Sequence, residues 1–134
     1  MVAEADKTTA STAICCAVYK DEILILKNLY WPNLTIRFLS SMLHMKPDLL
    51  GSKLSAQLKE KRALEHKTLL IYGDCCIQMT DLTKSPDVVR VRGHNCIHQV
   101  LGNKEYKRLS HEGAFFLLPA WASRWKHIFK NELG

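Results

Sequence analysis

The chain lacks the features that mark several common classes of protein. No apolar run approaches the ~20 residues of a membrane-spanning helix, and residues 1–10 lack the apolar core of a secretory signal. The six glycines form neither a G-x-G-x-x-G pattern nor a P-loop. These absences predict a cytoplasmic protein without a membrane segment, and they leave a small nucleotide- or cofactor-binding module as a weaker alternative.

Charge of one sign is not concentrated anywhere in the chain. There are 19 basic and 13 acidic residues, which give a net charge of +6. The basic residues are spread along the sequence, and residues 59–62 and 104–108 interleave them with acids. A basic balance without a cluster is a weak signature of nucleic-acid binding, which is therefore not predicted.

Cysteine is present in an odd number, five, and no Cys-x-x-Cys pair occurs. A cytosolic chain keeps its thiols reduced, so a disulfide framework is not expected. Metal-binding or reactive thiols are the favoured interpretation. The alternative is that all five are small buried apolar residues, a role that free cysteine often fills.

Three apolar runs each end at cysteine, which is the most informative pattern in the sequence. They occupy residues 11–16, 68–76 and 88–96. Short β-branched and aliphatic runs that break at glycine or a polar residue are typical of buried strands. If these strands are parallel, their carboxyl ends share one sheet edge, where open α/β sheets bind ligands. Cys16, Cys75 and Cys96 are then expected to converge there.

The remaining periodicity predicts strands that alternate with helices. Strands are expected at 11–16, 34–39, 68–72, 88–91 and 114–118, and helices at 20–30, from 47 to about 66, and at 73–82, 96–109 and 123–133. Such alternation favours a mostly parallel sheet covered on both faces. We predict one α/β domain over residues 11–134, a Rossmann-like three-layer sandwich with about five strands. Residues 1–10 are expected to form a flexible tail.

Three thiolates are a ligand set that suits zinc or an iron–sulfur cluster. His94 and His44 are the candidates for a fourth ligand or a supporting partner, and the alternative for each is a hydrogen-bonded loop histidine. Arg92 is the candidate anion contact, since guanidinium offers a planar fork of donors. It is also expected to lower the pKa of nearby thiols.

A cysteine nucleophile is the rival hypothesis for the same residues. It needs one thiol, a base such as His94 and an orienting group such as Asn95. It leaves the other two strand-end thiols unexplained. Whether the chain is an enzyme, and in which oligomeric state it works, stay open at this point.

Six ordered blocks resemble the domain-of-unknown-function family 1638. They are CAVYKDEI at 16–23, LHMKP at 43–47, YGDC at 72–75, RGHNCI at 92–97, LGNKEY at 101–106 and FLLPAW at 116–121. The resemblance covers residues 12 to about 125. It places Cys16, Cys75 and Cys96 on family positions but not Cys15 or Cys76, which are therefore expected to be packing residues.

The resemblance implies a role in the one-carbon or corrinoid methyl-transfer metabolism of methanogens and other anaerobes. It implies a small-molecule substrate or methyl-transfer proteins as partners, and zinc or an iron–sulfur cluster as cofactor. The chain departs from the family pattern at Cys76 and Ala120, where the family prefers glycine, and at Asn95, which replaces an aspartate. Members of the family also commonly extend further at the C terminus.

Overall fold

The computed structural model describes residues 11–64, 66–127 and 130, which form an α/β fold. Four strands are described: β1 (Ser11–Cys16), β2 (Thr35–Leu39), β3 (Lys67–Ile71) and β4 (Val88–Arg90). The helices are α1 (Lys20–Tyr30), α2 (Pro47–Ala63), α3 (Met79–Leu82), α4 (Cys96–Leu101), α5 (Asn103–His111), α6 (Pro119–Ala122) and α7 (Trp125–His127). Two 3₁₀ turns, Ala17–Tyr19 and Ser41–Met45, follow β1 and β2.

The four strands form one parallel sheet in the order β2-β1-β3-β4. The pairing of β1 with β3 runs from Ser11 opposite Lys67 to Cys15 opposite Ile71. Parallel neighbours need crossover connections, and α1 and α2 supply the first two. The predicted Rossmann-like α/β fold is therefore confirmed, with four described strands in place of about five.

Helix α2 covers one face of the sheet. Pro47 occupies its first turn, where a missing N–H leaves no hydrogen bond unmade, and Arg62 lies in its last turn. Leu50, Leu54 and Leu58 recur at helical spacing and are almost fully buried. They pack in a core, here called the α2-side core, whose buried members are Ile14, Leu43, Leu50, Leu54, Leu58, Leu70, Tyr72, Cys76, Met79 and Val88.

The opposite face carries a smaller core, here called the α1-side core. Its buried members are Cys15, Val18, Tyr19 and Leu118. Helix α1 contributes Ile23 at the margin of this core but has no buried residue of its own. Cys16 packs against both cores, because it lies at the end of β1 where the two faces meet.

The fifth predicted strand, at residues 114–118, is wrong. The structure places these residues in irregular chain between α5 and α6, without a strand partner. Leu118 is extended and buried, but Pro119 follows it and begins α6. A short apolar run can anchor a loop as well as a strand, and its periodicity does not separate the two.

Two predicted helices differ from those observed. The helix expected at 96–109 is interrupted at Gly102, which has φ +79°, so that α4 and α5 are separate. The helix expected at 73–82 is confined to α3, and residues 72–78 form a loop. The helix expected at 123–133 lies partly outside the described residues, as does the whole tail predicted at 1–10.

None of the helices in the described ranges is long and apolar enough to cross a membrane.

Candidate metal centre

Cys16, Cys75 and Cys96 all lie beyond the carboxyl ends of strands that are neighbours in the sheet. Cys16 ends β1, Cys75 follows β3 and Cys96 follows β4. The chain turns from β1 to β2 on one side and crosses to β3 on the other, so the strand order reverses between β1 and β3. Open parallel sheets bind ligands in the crevice at such a reversal. The parallel sheet thus places the three cysteines beyond the same edge of the sheet, and their convergence on one site stays a prediction.

Gly73 brings the loop of Cys75 against the loop of Cys96. A methyl group at Gly73 would lie 2.5 Å from Asn95 Cα and in contact with the His94 carbonyl oxygen. The backbone N–H of Asp74 donates to that same carbonyl, at 2.6 Å. Only glycine permits this approach of two backbones, and it fixes the two loops side by side.

The three thiols are close enough to influence one another electrostatically. The pKa of Cys16 is raised to about 11, mainly by burial and to a smaller extent by the nearby thiols of Cys96 and Cys75, while a backbone hydrogen bond from Val18 opposes the rise. Burial also raises the pKa of Cys75 and of Cys96, and backbone hydrogen bonds from Gly73 and from Ile97 oppose that rise. In the metal-free chain all three are therefore protonated at neutral pH.

The expectation that an arginine lowers the thiol pKa is wrong. Arg92 is exposed and forms no hydrogen bond or ion pair with the described residues, and desolvation dominates each thiol. The role of Arg92 as an anion contact stays a prediction. The arginine that the structure brings to this edge is Arg90, whose Nη1 lies 2.7 Å from Asp74 Oδ1.

His94 is held by Asp74, which sequence reasoning missed. His94 Nδ1 lies 3.0 Å from Asp74 Oδ2, and the hydrogen bonds from His94 and Arg90 lower the pKa of that carboxyl. An ionised carboxylate only accepts, so Nδ1 is the donor, and in a neutral His94 ring Nε2 then keeps its lone pair. Metal-bound histidines commonly have this carboxylate partner. The sequence signal that could have identified Asp74 is its position directly before Cys75.

The Asn95 side chain caps helix α4 and forms no described hydrogen bond with His94. Its Oδ1 accepts the backbone N–H of His98 at 2.9 Å, which caps the helix, and its Nδ2 donates to the Tyr106 hydroxyl at 3.0 Å. The His98 ring stacks on Tyr106 with centroids 4.8 Å apart. The described hydrogen bonds of the Asn95 side chain thus go to the helix cap and to Tyr106, and its role as the orienting group of a cysteine nucleophile stays a prediction.

His44 lies at the same edge on the far side of β1. It belongs to the 3₁₀ turn after β2, is exposed, and its ring centroid is 5.7 Å from that of Trp121. No described contact joins it to the three thiols. Its role as a ligand stays a prediction.

Two buried tyrosines and a glutamine support the edge. The Tyr19 hydroxyl lies 3.0 Å from the Cys96 carbonyl oxygen and 2.7 Å from Gln99 Oε1. Gln99 Nε2 in turn donates to the Tyr72 carbonyl at 2.8 Å. These bonds tie the turn after β1 to the start of α4 and to the end of β3. Sequence reasoning did not identify them, since they join residues 27 to 80 positions apart.

Cys15 and Cys76 lie in the cores. Cys15 is fully buried in the α1-side core, and Cys76 belongs to the α2-side core with 9% exposure. Burial is the main cause that raises the pKa of each thiol. All five cysteines are free thiols.

Thiol and imidazole donors at this edge of the sheet are chemically suited to a soft metal, but their side chains do not surround a common metal position. Within residues 11–64, 66–127 and 130, no group of three or more Cys, His, Asp or Glu side chains could hold a metal ion as it stands. Cys75 lies in a loop, and Cys96 is the first residue of the short helix α4. Both residues therefore lie outside the hydrogen-bonded strands.

The family model described as Protein of unknown function (DUF1638) matches residues 38–134. The match includes Cys75, Cys96 and both candidate histidines, whereas Cys16 and the block at 16–23 precede it. No curated protein and no solved structure matches the chain.

Proposed function

We propose that this chain, which belongs to the DUF1638 family, is a metal-binding protein whose site is formed by Cys16, Cys75 and Cys96. The observation that carries the proposal is the placement of three free thiols at the reversal of strand order in a parallel sheet. Once deprotonated by a metal, three such thiolates suit zinc or an iron–sulfur cluster. A metal held by three protein ligands would supply an open Lewis-acid position at this edge.

His94 is the proposed fourth ligand or supporting base. Its Nδ1 is engaged by Asp74, and this leaves Nε2 to face a metal or a proton. His44 is the second candidate, from the opposite side of the crevice. Arg92 is proposed to meet an anionic substrate, which its exposed guanidinium is free to do.

The reaction class rests on the family resemblance. We propose a role in one-carbon or corrinoid methyl-transfer metabolism, with a small-molecule thiol or a methyl-transfer protein as partner. Free thiols in all five positions suit the reducing cytoplasm.

The first test is metal analysis of protein purified without oxygen. We expect close to one equivalent of zinc, or the visible absorbance of a cluster. Replacement of Cys16, Cys75 or Cys96 by serine should abolish metal retention. The matched controls Cys15→Ala and Cys76→Ala should retain the metal, because those thiols fill cores. Wild-type protein that is folded, metal-free and unable to take up zinc would refute the proposal.

The second test separates the metal site from a cysteine nucleophile. A reactive nucleophile has a lowered pKa, whereas burial raises the pKa of all three candidate thiols. Brief iodoacetamide treatment followed by mass spectrometry should label the three cysteines slowly, and a chelator should expose them together. Fast labelling of Cys96 alone, whatever the chelator, would favour the nucleophile with His94 as base.

A further inference from the structure

Helix α1 carries a large apolar surface that no described element of the chain covers. No residue of α1 is buried. Six apolar residues in the helix and at its C-cap are between 36% and 66% exposed, namely Leu24, Ile25, Leu26, Leu29, Tyr30 and Trp31. Single exposed apolar side chains are normal on a protein surface, but one element that exposes this many is unusual for a monomer. The composition of α1 therefore indicates a surface that a partner covers.

The exposed side chains of α1 form rows that suit packing against an identical helix. Ile25 and Leu29 are four residues apart, as are Leu26 and Tyr30, so two adjacent rows run along the exposed side of the helix. Rows at this spacing are the ridges that interlock when two helices pack. The groove between the two rows of one helix can receive a row of the other, so the surface is complementary to itself. A two-fold interface needs such a surface, because the same patch is used by both copies.

The charges of α1 agree with an antiparallel pair of helices. Asp21 and Glu22 lie in the first turn and Lys27 in the last turn, and none of the three forms an ion pair with the described residues. Lys27 Nζ donates to the neutral carbonyl oxygen of Pro32, at 2.9 Å. A two-fold axis across α1 sets the acidic first turn of each helix beside the basic last turn of the other. It also brings opposite ends of the two helix dipoles together.

The exposed area is sufficient for a specific interface. From their exposed fractions, the six apolar residues present roughly 600–700 Å² in one copy, at or above the largest apolar patch of a typical monomer. Two copies packed through this surface would bury about 1,300 Å², which lies at the lower end of specific protein–protein interfaces. A small interface with an apolar centre is expected to give a dissociation constant of micromolar order.

We propose that α1 is a dimerisation helix, which packs against α1 of a second copy of this chain about a two-fold axis. The proposal is independent of the metal centre, because none of the candidate ligands lies in α1. The α2-side core contains no residue of α1, so the separated monomer is expected to stay folded. Substitutions on the exposed side of α1 should therefore change the association of two copies and leave the stability of the dilute monomer nearly unchanged.

The test is sedimentation equilibrium of the metal-free protein at concentrations between about 1 and 100 μM. The wild type should pass from monomer to dimer over this range. Ile25→Glu and Leu29→Glu should each weaken association at least about tenfold, because each buries an unpaired carboxylate between the two helices. The matched control is Val100→Glu in α4, at a residue that is 59% exposed, and it should leave association unchanged. The melting temperature should rise with concentration in the wild type and the control only.

A wild-type protein that sediments as a monomer throughout this range would overturn the inference, and so would a monomer that binds phosphatidylcholine vesicles through α1. A dimer that neither α1 variant weakens, or that Val100→Glu weakens equally, would show that the copies associate through another surface. Circular dichroism establishes that each variant is folded. The milder change Leu29→Ser should weaken association in the same direction, and it takes the place of a charged variant that does not fold. Zinc binding by the wild type is measured separately, so that the proposed function and this inference can fail independently.

Discussion

Helices α1 and α2 lie on opposite faces of one sheet, yet only α2 is anchored along its length. Leu50, Leu54 and Leu58 of α2 are at most 3% exposed, whereas Ile25 and Leu29 of α1 are 61% and 66% exposed. Both helices are rich in aliphatic residues. The difference teaches that α2 is anchored in the α2-side core, whereas α1 contributes only the partly buried Ile23 to the α1-side core. The candidate metal centre lies where the two faces meet, at Cys16.

The largest change in stability is expected when a buried side chain of α2 is truncated. Leu54→Ala should destabilise the protein by about 3 kcal/mol, because it opens a cavity in a fully packed core. The matched change in α1, Leu29→Ala, removes an exposed side chain and should alter stability by less than about 0.5 kcal/mol. Urea denaturation of both variants measures the difference. Equal losses would mean that α1 is packed as firmly as α2.

The next effect concerns Cys16, which contacts both cores. Burial raises its pKa from 9.0 to about 11, so the folded chain holds this proton more tightly than the unfolded chain does. Its contribution to stability is complete below pH 9 and is lost as the pH rises through 11. The metal-free protein should lose about 2–3 kcal/mol over that window from this thiol.

Urea denaturation at several pH values from 8 to 11 would measure the loss, with Cys16→Ser as the control that removes this titration. Bound zinc should flatten the dependence, because the thiolate then needs no proton. A metal-free protein whose stability is level from pH 9 to 11 would contradict the assignment of Cys16 to the junction of the two cores.

Two glycines, one in the loop after β3 and one within α2, give a smaller effect on stability. Gly73→Ala would push a methyl group against the backbone of Asn95, and it should cost about 1–3 kcal/mol and separate the Cys75 and Cys96 loops. Gly51→Ala, within α2, meets only the flexible Gln78 side chain. Its strain is offset by about 1 kcal/mol of helix propensity, so near-neutral stability is expected.

Denaturation and zinc retention should both be measured on the two glycine variants. A Gly73→Ala protein that keeps its stability and its metal would show that the close approach of the loops is dispensable.

The smallest effect is expected where α2 meets an edge strand at the surface. Arg37 of β2 makes two hydrogen bonds to the Glu60 carboxylate, at 3.0 and 3.2 Å, and these lower the pKa of Glu60. The pair is exposed and screened by salt. Glu60→Gln should therefore change the denaturation midpoint little at neutral pH, and the change should shrink further in high salt. A loss comparable to that of Leu54→Ala would show that the surface of α2 matters as much as its core.

Local sequence patterns determined the alternation of strands and helices. The β-branched runs of β1 to β3, the Pro47 start of α2 and the acidic first turn of α1 each depend on neighbours a few residues away. The same patterns led to a strand at 114–118 that does not form, because an apolar run becomes a strand only when another strand pairs with it.

The sequence by itself also identified Cys16, Cys75 and Cys96 as residues that end a strand or follow one. Only the tertiary structure decided what surrounds them: Asp74 against His94, and Gly73 against Asn95. These relations join residues some 20 or more positions apart, through the parallel order of the strands. The spacing of residues along the chain determines local conformation. The hydrogen-bond partners, burial and pKa of a side chain depend instead on distances that are set only when the sheet has formed.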